Sequence, residues 1–474
     1  MSSSPTLGVP ELAGLATYAE AARIGYSVDE NVRRLLRYQW TERRLMTMLL
    51  AHLTAEPVWE VKCGYALHQW QDAEHVDRLR KRIGEMRNPV PSLERAPDPA
   101  LDALLEEAIR SSDAVELLAG AYGVVRAALA AAYREHLAVT NPLVDHPTRR
   151  VLRAALADHE EALAWSERAL DALVRADSAA AERAASWRSH LEAYLDAAGG
   201  IAGAAPEGEP SGGSARGGAR LPPRSLPPPR AARPFVPDFH PRRDRRFTGQ
   251  HEFEFPPHVV YNDPRAPAEE RNLALLAKRT LEMDVPEMMA SILVERAGQP
   301  WEFQLDYSRQ LWDEMRHAMM GSVAFEARGV DWTKIPLNVG FSLRLNLHAT
   351  ALERQTILFA IEQSLMPAET GKRFEYETAV AAGDPLSIHF HDYDWADEVL
   401  HAQIGRRWLK REGITPEQAV ERAEGIHQKT WAALDQYREP EARPDWWDGF
   451  VRQVLGKPSA IAPEERGELR IIAE

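Results

Sequence analysis

Two copies of Asp-Glu-x-x-His, Asp313-Glu314-Met315-Arg316-His317 and Asp397-Glu398-Val399-Leu400-His401, constrain the fold of this chain more than any other feature. A helix turns about 100° per residue, so Glu and His at i and i+3 leave it from nearly one face. Two such helices set face to face collect two carboxylates and two imidazoles in one small volume. Those are four of the donors of a di-iron or di-manganese site buried in a helix bundle, which also needs a lone Glu from each of two further helices. A single Glu-x-x-His arises readily by chance. Two of them 84 residues apart, each preceded by Asp and each inside an apolar helical pattern, are a far more specific signal. The competing reading is a pair of amphipathic helices with polar edges.

The rest of the chain supports a helical reading. Ala/Leu/Arg/Glu-rich periodicity predicts helices from about 28 to 198 and from about 266 to 455. Strand-like alternation is brief, at His251–Phe255 and Phe341–Asn346. Between the helical blocks, Gly199 to about Arg233 is rich in Gly, Pro and Arg, a composition that buries too little apolar surface to fold. The expected organisation is therefore a helical bundle over 28–198, a flexible linker over 199–240 and a second, metal-binding bundle over 241–460. The linker arginines, with Arg242, Arg243, Arg245 and Arg246, could touch an acidic partner, although a solvated linker is the simpler reading.

The two blocks also resemble each other. A shift of 242 residues aligns Trp59 with Trp301, Tyr65 with Tyr307, Trp70 with Trp312, Asp72 with Glu314 and His75 with His317. An internal duplication of one four-helix bundle explains this better than two unrelated helical domains with a shared packing habit.

Charge and cysteine content narrow the chemistry. A net charge of −14 argues against a general nucleic-acid binder. The single cysteine, Cys63, excludes an internal disulfide and any Cys-rich metal site. The start lacks a secretory pattern and no run of 18 apolar residues occurs, so a cytoplasmic protein with no membrane span is expected.

The lone ligands must be chosen among several glutamates. On the first helix of the second block, Glu287 is preferred to Glu282, because Met288, Met289, Ile292 and Leu293 surround it and Pro286 marks a kink or helix start. On the third helix, Glu362 lies among Leu358, Ile361 and Leu365, whereas Glu353 sits about 180° away around the helix. His391, two turns before Glu398, is a candidate extra ligand.

The order Glu287, Glu314/His317, Glu362, Glu398/His401 resembles the ferritin-like di-iron carboxylate superfamily over roughly residues 266–410, and the first block only weakly. That resemblance implies an all-α protein of two ferritin-like bundles, with Glu314 and Glu398 bridging two iron ions (manganese is the alternative). Glu287 with His317 would complete one metal, and Glu362 with His401 the other. Asp313 and Asp397 would accept the outer imidazole N–H groups, fixing the tautomers. The missing Cys-x-x-Cys pair excludes a rubrerythrin with its rubredoxin-type domain, and Gly321 stands where a radical tyrosine would follow the helix-two histidine. Met319, Met320 and Gly321 would either leave an apolar space for O2 or substrate or simply pack helices.

In the first block Asp72 and His75 form a half-motif, Leu45 aligns with Glu287, and Glu42 could serve only with a register shift. That block is expected to be degenerate and to stabilise the active bundle, cover its entrance or form a homodimer face. The implied function is O2-dependent oxidation of a small organic substrate with an external electron donor. The alternatives are an iron-handling ferroxidase and a non-catalytic helical scaffold.

Overall fold

The computed structural model describes residues 8–203, 225–251, 255–437 and 446–463, and among these every regular element is helical. Two compact units divide the chain: Met1–Leu49 with Gln71–Val236, and Leu50–Trp70 with Pro237–Glu474. The second unit therefore recruits a stretch of 21 residues from the middle of the first block.

The longer helices are α1 (Val28–Leu53), α2 (Trp59–Met86), α3 (Pro99–Ala108), α4 (Ala114–Val139), α5 (His146–Ala176) and α6 (Ala180–Ala197). They are followed by α7 (Ala268–Leu281), α8 (Asp284–Glu295), α9 (Trp301–Glu326), α10 (Gly340–His348), α11 (Ala351–Ser364), α12 (Lys372–Ala382), α13 (Pro385–Arg411), α14 (Pro416–Trp431) and α15 (Trp446–Leu455). Their ends follow local chemistry. Thr350 with Glu353 and Thr415 with Gln418 close capping boxes on α11 and α14. Asp384 caps α13, where Pro385 takes a first-turn position that needs no N–H.

In the first unit α4 contains a π-helical stretch, Leu118–Arg126, that packs on α5 and α6. By length and mean hydropathy α4 is the one helix among the described residues that could cross a membrane, a property the count of uninterrupted apolar residues did not reveal. It is mostly buried within the protein, and its Arg126 is ion-paired with Asp72. Part of the expected linker, 204–224, lies outside the described residues. The adjoining part is held to the first unit: Tyr194 donates to the Pro227 carbonyl at 3.0 Å, and the Arg230 guanidinium lies 4.6 Å from the Trp187 ring centre.

In the second unit α9 packs on α7, α8 and α13, and α11 packs on α8, α13 and α14. Leu50–Trp70 is stitched in by a Trp70–Trp312 stack, an edge-on Trp59–Trp332 contact and a Gln69 bond to the Ser308 carbonyl. The strand-like run Phe341–Asn346 is helical, inside α10. Ser342 through Asn346 are all buried, so a helix hidden on most sides carries no useful hydrophobic period. The other run, His251–Phe255, falls mostly outside the described residues.

Candidate metal centre

The two Asp-Glu-x-x-His segments occupy the middles of α9 and α13, which pack directly on each other. Glu314, His317, Glu398 and His401 are all buried. Each histidine turns Nδ1 inward. His401 Nδ1 lies 3.1 Å from Glu314 Oε1 and 3.2 Å from Glu398 Oε2. His317 Nδ1 lies 3.6 Å from Glu314 Oε2 and 3.8 Å from Glu398 Oε1. Each carboxylate thus offers one oxygen to each imidazole. The outward nitrogens cross over: His317 Nε2 faces Asp397 at 3.3 Å and His401 Nε2 faces Asp313 at 3.4 Å. Each aspartate therefore serves the histidine of the opposite motif. Arg316 spans both aspartates, and burial is outweighed at Asp313 by His401 and Arg316, which bring its carboxyl down to about 2.

Three donor groups emerge. Glu314, Glu362, Glu398 and His401 present one ligand atom each within 4.8 Å of one another, Glu282, His317 and Asp394 form an adjacent trio, and Glu375, His391 and Asp394 form another that shares Asp394. Glu362 reaches in from α11, as expected, and is held by Gln310 at 3.0 Å.

Glu287 does not join them. Its carboxylate is fully buried against Lys62 and Arg243, with Ser342 Oγ at 3.2 Å. Burial opposes its ionisation, but the Arg243 and Lys62 cations hold its carboxyl below the usual range. Glu282 takes the helix-one place instead, 3.9 Å from His317 Nδ1. Pro286 is the cause. Its ring cannot donate to the Glu282 carbonyl and would clash with it, so the helix breaks between α7 and α8, at Glu282 and Met283. Five residues amount to about 140° of helical turn, so the two glutamates could not share a face even in an unbroken helix.

His391 also stays outside the main group. It sits about 10 Å along the axis from Glu398, with Nδ1 3.6 Å from Glu375 and no hydrogen bond at either ring nitrogen. Burial, with Arg279 nearby, lowers it to about 4. Gly321 lines no apolar space: a Cβ there would stand 2.9 Å from Arg279 and Thr280, so it permits the close approach of α7.

Several participants carry no motif in the sequence. Asp394 completes a one-face stripe with Glu398 and His401 at i, i+4 and i+7, which its spacing could have revealed. Lys372 Nζ reaches Glu398 at 3.0 Å and Asp394 at 3.1 Å, and Arg279 binds Asp394 at 2.6 Å and Glu282 at 2.7 Å. Lys278 and Arg279 both pair with Glu375.

Charge and spacing test the fit of a metal. Six carboxylates (Glu282, Glu314, Glu362, Glu375, Asp394 and Glu398) face only three fixed cations, Lys278, Arg279 and Lys372. Protons make up the deficit in the metal-free protein. Against the effect of burial, Asp394, Asp397 and Glu314 push His317 up to about 10, and the carboxylates around His401 raise it well above its ordinary value. Burial, then Glu398 and Glu314, pushes Glu362 well up. Donors bound at about 2.0–2.2 Å to one cation stand roughly 3–3.5 Å apart, close to the separations around His401 Nδ1. His317 Nδ1 and Glu314 Oε1 are buried without any hydrogen bond. These residues fit two divalent cations.

The first unit holds a related cluster of Glu42, Asp72, His75 and His159. His75 Nε2 meets Asp158 at 3.0 Å, much as His317 meets Asp397. Here Arg126 clasps Asp72 through two 2.7 Å bonds and donates to His159 Nδ1 at 2.9 Å. A neutral imidazole that accepts at Nδ1 carries its proton on Nε2, which faces Glu42 at 2.8 Å, so no lone pair is left for a metal. Burial lowers His159 to about 4, while Glu42 and Asp158 overcome burial at His75 and raise it to about 9. Arg126 and His75 then balance Asp72 and Glu42. This cluster does not fit a metal.

A surface groove walled by Thr350, Glu353, Arg422 and Lys429 contains none of these donors. No family model, curated protein or solved structure matches the chain.

Proposed function

We propose that the second unit is a ferritin-like di-iron carboxylate centre, with manganese the alternative, that oxidises a small organic substrate with O2. The first unit would be its degenerate copy, without metal. One observation carries the reading: Glu314 and Glu398 each divide their two oxygens between His317 and His401. That is how bridging carboxylates address two cations. Glu362 would complete the His401 position, and Glu282 with Asp394 the His317 position.

Iron or manganese held there would supply the redox chemistry. The chain's own residues orient and insulate it. Asp397 and Asp313 fix each imidazole with Nε2–H outward, which frees Nδ1 for the centre. Six of the seven donor side chains, Glu314, His317, Glu362, Asp394, Glu398 and His401, are buried and Glu282 is mostly so, and a low-dielectric interior strengthens every charge interaction within. The duplication draws support from the repeated His–Asp contact and from the starts of α2 and α9 at Trp59 and Trp301.

The test is metal analysis of full-length protein purified anaerobically, followed by O2 uptake at fixed iron with and without amines, aromatic acids or amino acids. About two metals per chain and substrate-dependent uptake are expected. Uptake of tens to hundreds of iron atoms without an organic substrate would make the protein an iron store. Absence of metal would leave a helical scaffold.

A further inference from the structure

The two cation positions are chemically unequal. At the His401 position, among the described residues, no ion pair with Lys or Arg reaches Glu314, Glu362 or Glu398 Oε2, the oxygen that faces His401; Lys372 binds the other Glu398 oxygen, Oε1. At the His317 position, Arg279 already binds Glu282 and Asp394, and Lys372 binds Asp394. Lys372 holds Asp394 and, at 3.0 Å, Glu398 Oε1, the oxygen that faces His317.

Its placement is built into the backbone. Lys372 opens α12 after a tight turn in which its N–H bonds the Leu365 carbonyl at 3.0 Å and the Gly371 N–H bonds the Pro367 carbonyl at 2.9 Å. A Cβ at Gly371 would fall 2.0 Å from the Leu365 oxygen, so only glycine passes there. The lysine side chain is then wholly enclosed. Balancing Glu375 does not explain it: Glu375 already has Lys278 and Arg279, and Lys372 Nζ is 3.9 Å from it but 3.0 Å from Glu398.

We propose that Lys372 is a positioning residue that makes the centre load unequally: its ammonium occupies the edge of the His317 position, so the His401 position fills first and tightly while the second cation binds weakly. This rests on the two-metal reading above. A second cation must approach the ammonium and compete with it for Asp394 and Glu398 Oε1, whereas the first would meet Glu398 through Oε2, the oxygen that faces His401.

The experiment is calorimetric titration of metal-free full-length protein with Co2+. Binding that persists in a Glu398→Ala variant belongs elsewhere in the chain and is subtracted. The wild type should show two classes of site at least tenfold apart in affinity. Lys372→Met, similar in length and uncharged, should strengthen the weaker class tenfold or more and change the tighter class little. A merely structural lysine would weaken both classes together. Two equal sites in the wild type, which needs no variant to fold, would overturn the proposal. So would a Lys372→Met protein whose weaker class is unchanged or weaker still. No Co2+ bound by the wild type would instead overturn the two-metal reading itself.

Discussion

Replacing Glu287 separates a structural carboxylate from a metal ligand. Glu287 is wholly buried and neutralises two cations that are themselves only 2% exposed, Lys62 and Arg243. In Glu287→Gln the isosteric amide keeps the volume but removes the carboxylate that both cations touch, leaving Arg243 only Asp284 at 4.0 Å. Breaking a buried pair in this way costs about 3–5 kcal/mol, because the remaining charge loses its partner without regaining water. For a folding unit of this size each kcal/mol lowers Tm by about 2–4 °C, which puts the expected fall at roughly 6–20 °C. Lys62→Met should cost less, since Glu287 retains Arg243 and Ser342. Thermal unfolding of the metal-free proteins at pH 7 measures the fall, and elemental analysis of the loaded proteins measures metal. Glu287→Gln should retain its metal. Glu282→Gln should lose about one equivalent with little change in metal-free Tm. A Glu287→Gln protein with normal Tm and one metal fewer would refute the assignment and restore Glu287 as the helix-one ligand.

Asp313→Asn and Asp397→Asn should each weaken metal binding by roughly 10–100-fold, with Asp397→Asn acting on the cation beside His317 and Asp313→Asn on the one beside His401; equal effects of both on both positions, read by metal titration, would contradict the crossed pairing. Metal binding should release protons and tighten with rising pH, because the surrounding carboxylates hold protons on His317 and His401 in the metal-free protein and burial beside Glu398 and Glu314 raises Glu362 well above an ordinary carboxyl; calorimetry in buffers of different ionisation enthalpy counts them. His317 is raised from 6.5 when unfolded to about 10 when folded, so its stabilisation of the metal-free protein is complete below pH 6.5 and fades towards pH 10; denaturant melts should show that loss, and saturating metal should remove it. A fragment beginning at Pro237 lacks Leu50–Trp70, strips Glu287 of Lys62 and uncovers Trp312, so it should melt well below the full chain and expose apolar surface to dye.

The helical class and most of the clustered side chains were legible because they follow from spacing along one helix. Glu314 with His317 and Glu398 with His401 share a face by arithmetic, and Glu362 follows from the apolar phase of α11. Glu287 was misplaced because apolar neighbours report burial, not direction. Met288, Met289, Ile292 and Leu293 are all buried around it, but they accompany an ion pair with Lys62, more than 200 residues earlier in the chain. Pro286 was read as a kink or helix start, and the break it forces falls four residues earlier, at Glu282, whose carboxylate lies 3.9 Å from His317 Nδ1. Lys372 and Arg279 had no signature, since a lone basic residue on a helix is ordinarily solvated. Nor could composition show that Leu50–Trp70 belongs with the second unit, because a turn between two long helices looks alike wherever it packs.

The two clusters show that donor identity alone does not decide whether a cluster fits a metal. Both collect carboxylates and two histidines in a buried space. The difference lies in where the imidazole protons are held and who supplies positive charge. In the second unit Asp313 and Asp397 draw the Nε2 protons outward, so both Nδ1 atoms face a region where carboxylates outnumber fixed cations. In the first unit Arg126 reverses one tautomer by donating to His159 Nδ1, and its charge satisfies Asp72. A single guanidinium thus removes both the lone pair and the electrostatic need. Lys372 stands between these cases: it offsets one charge and donates to no imidazole, so it can weaken the second cation without abolishing the first. Deleting Arg126 would leave Asp72 in need of a cation, but restoring a metal site in the first unit would require more, because freeing His159 Nε2 calls for an acceptor at Nδ1 on the side Arg126 now fills.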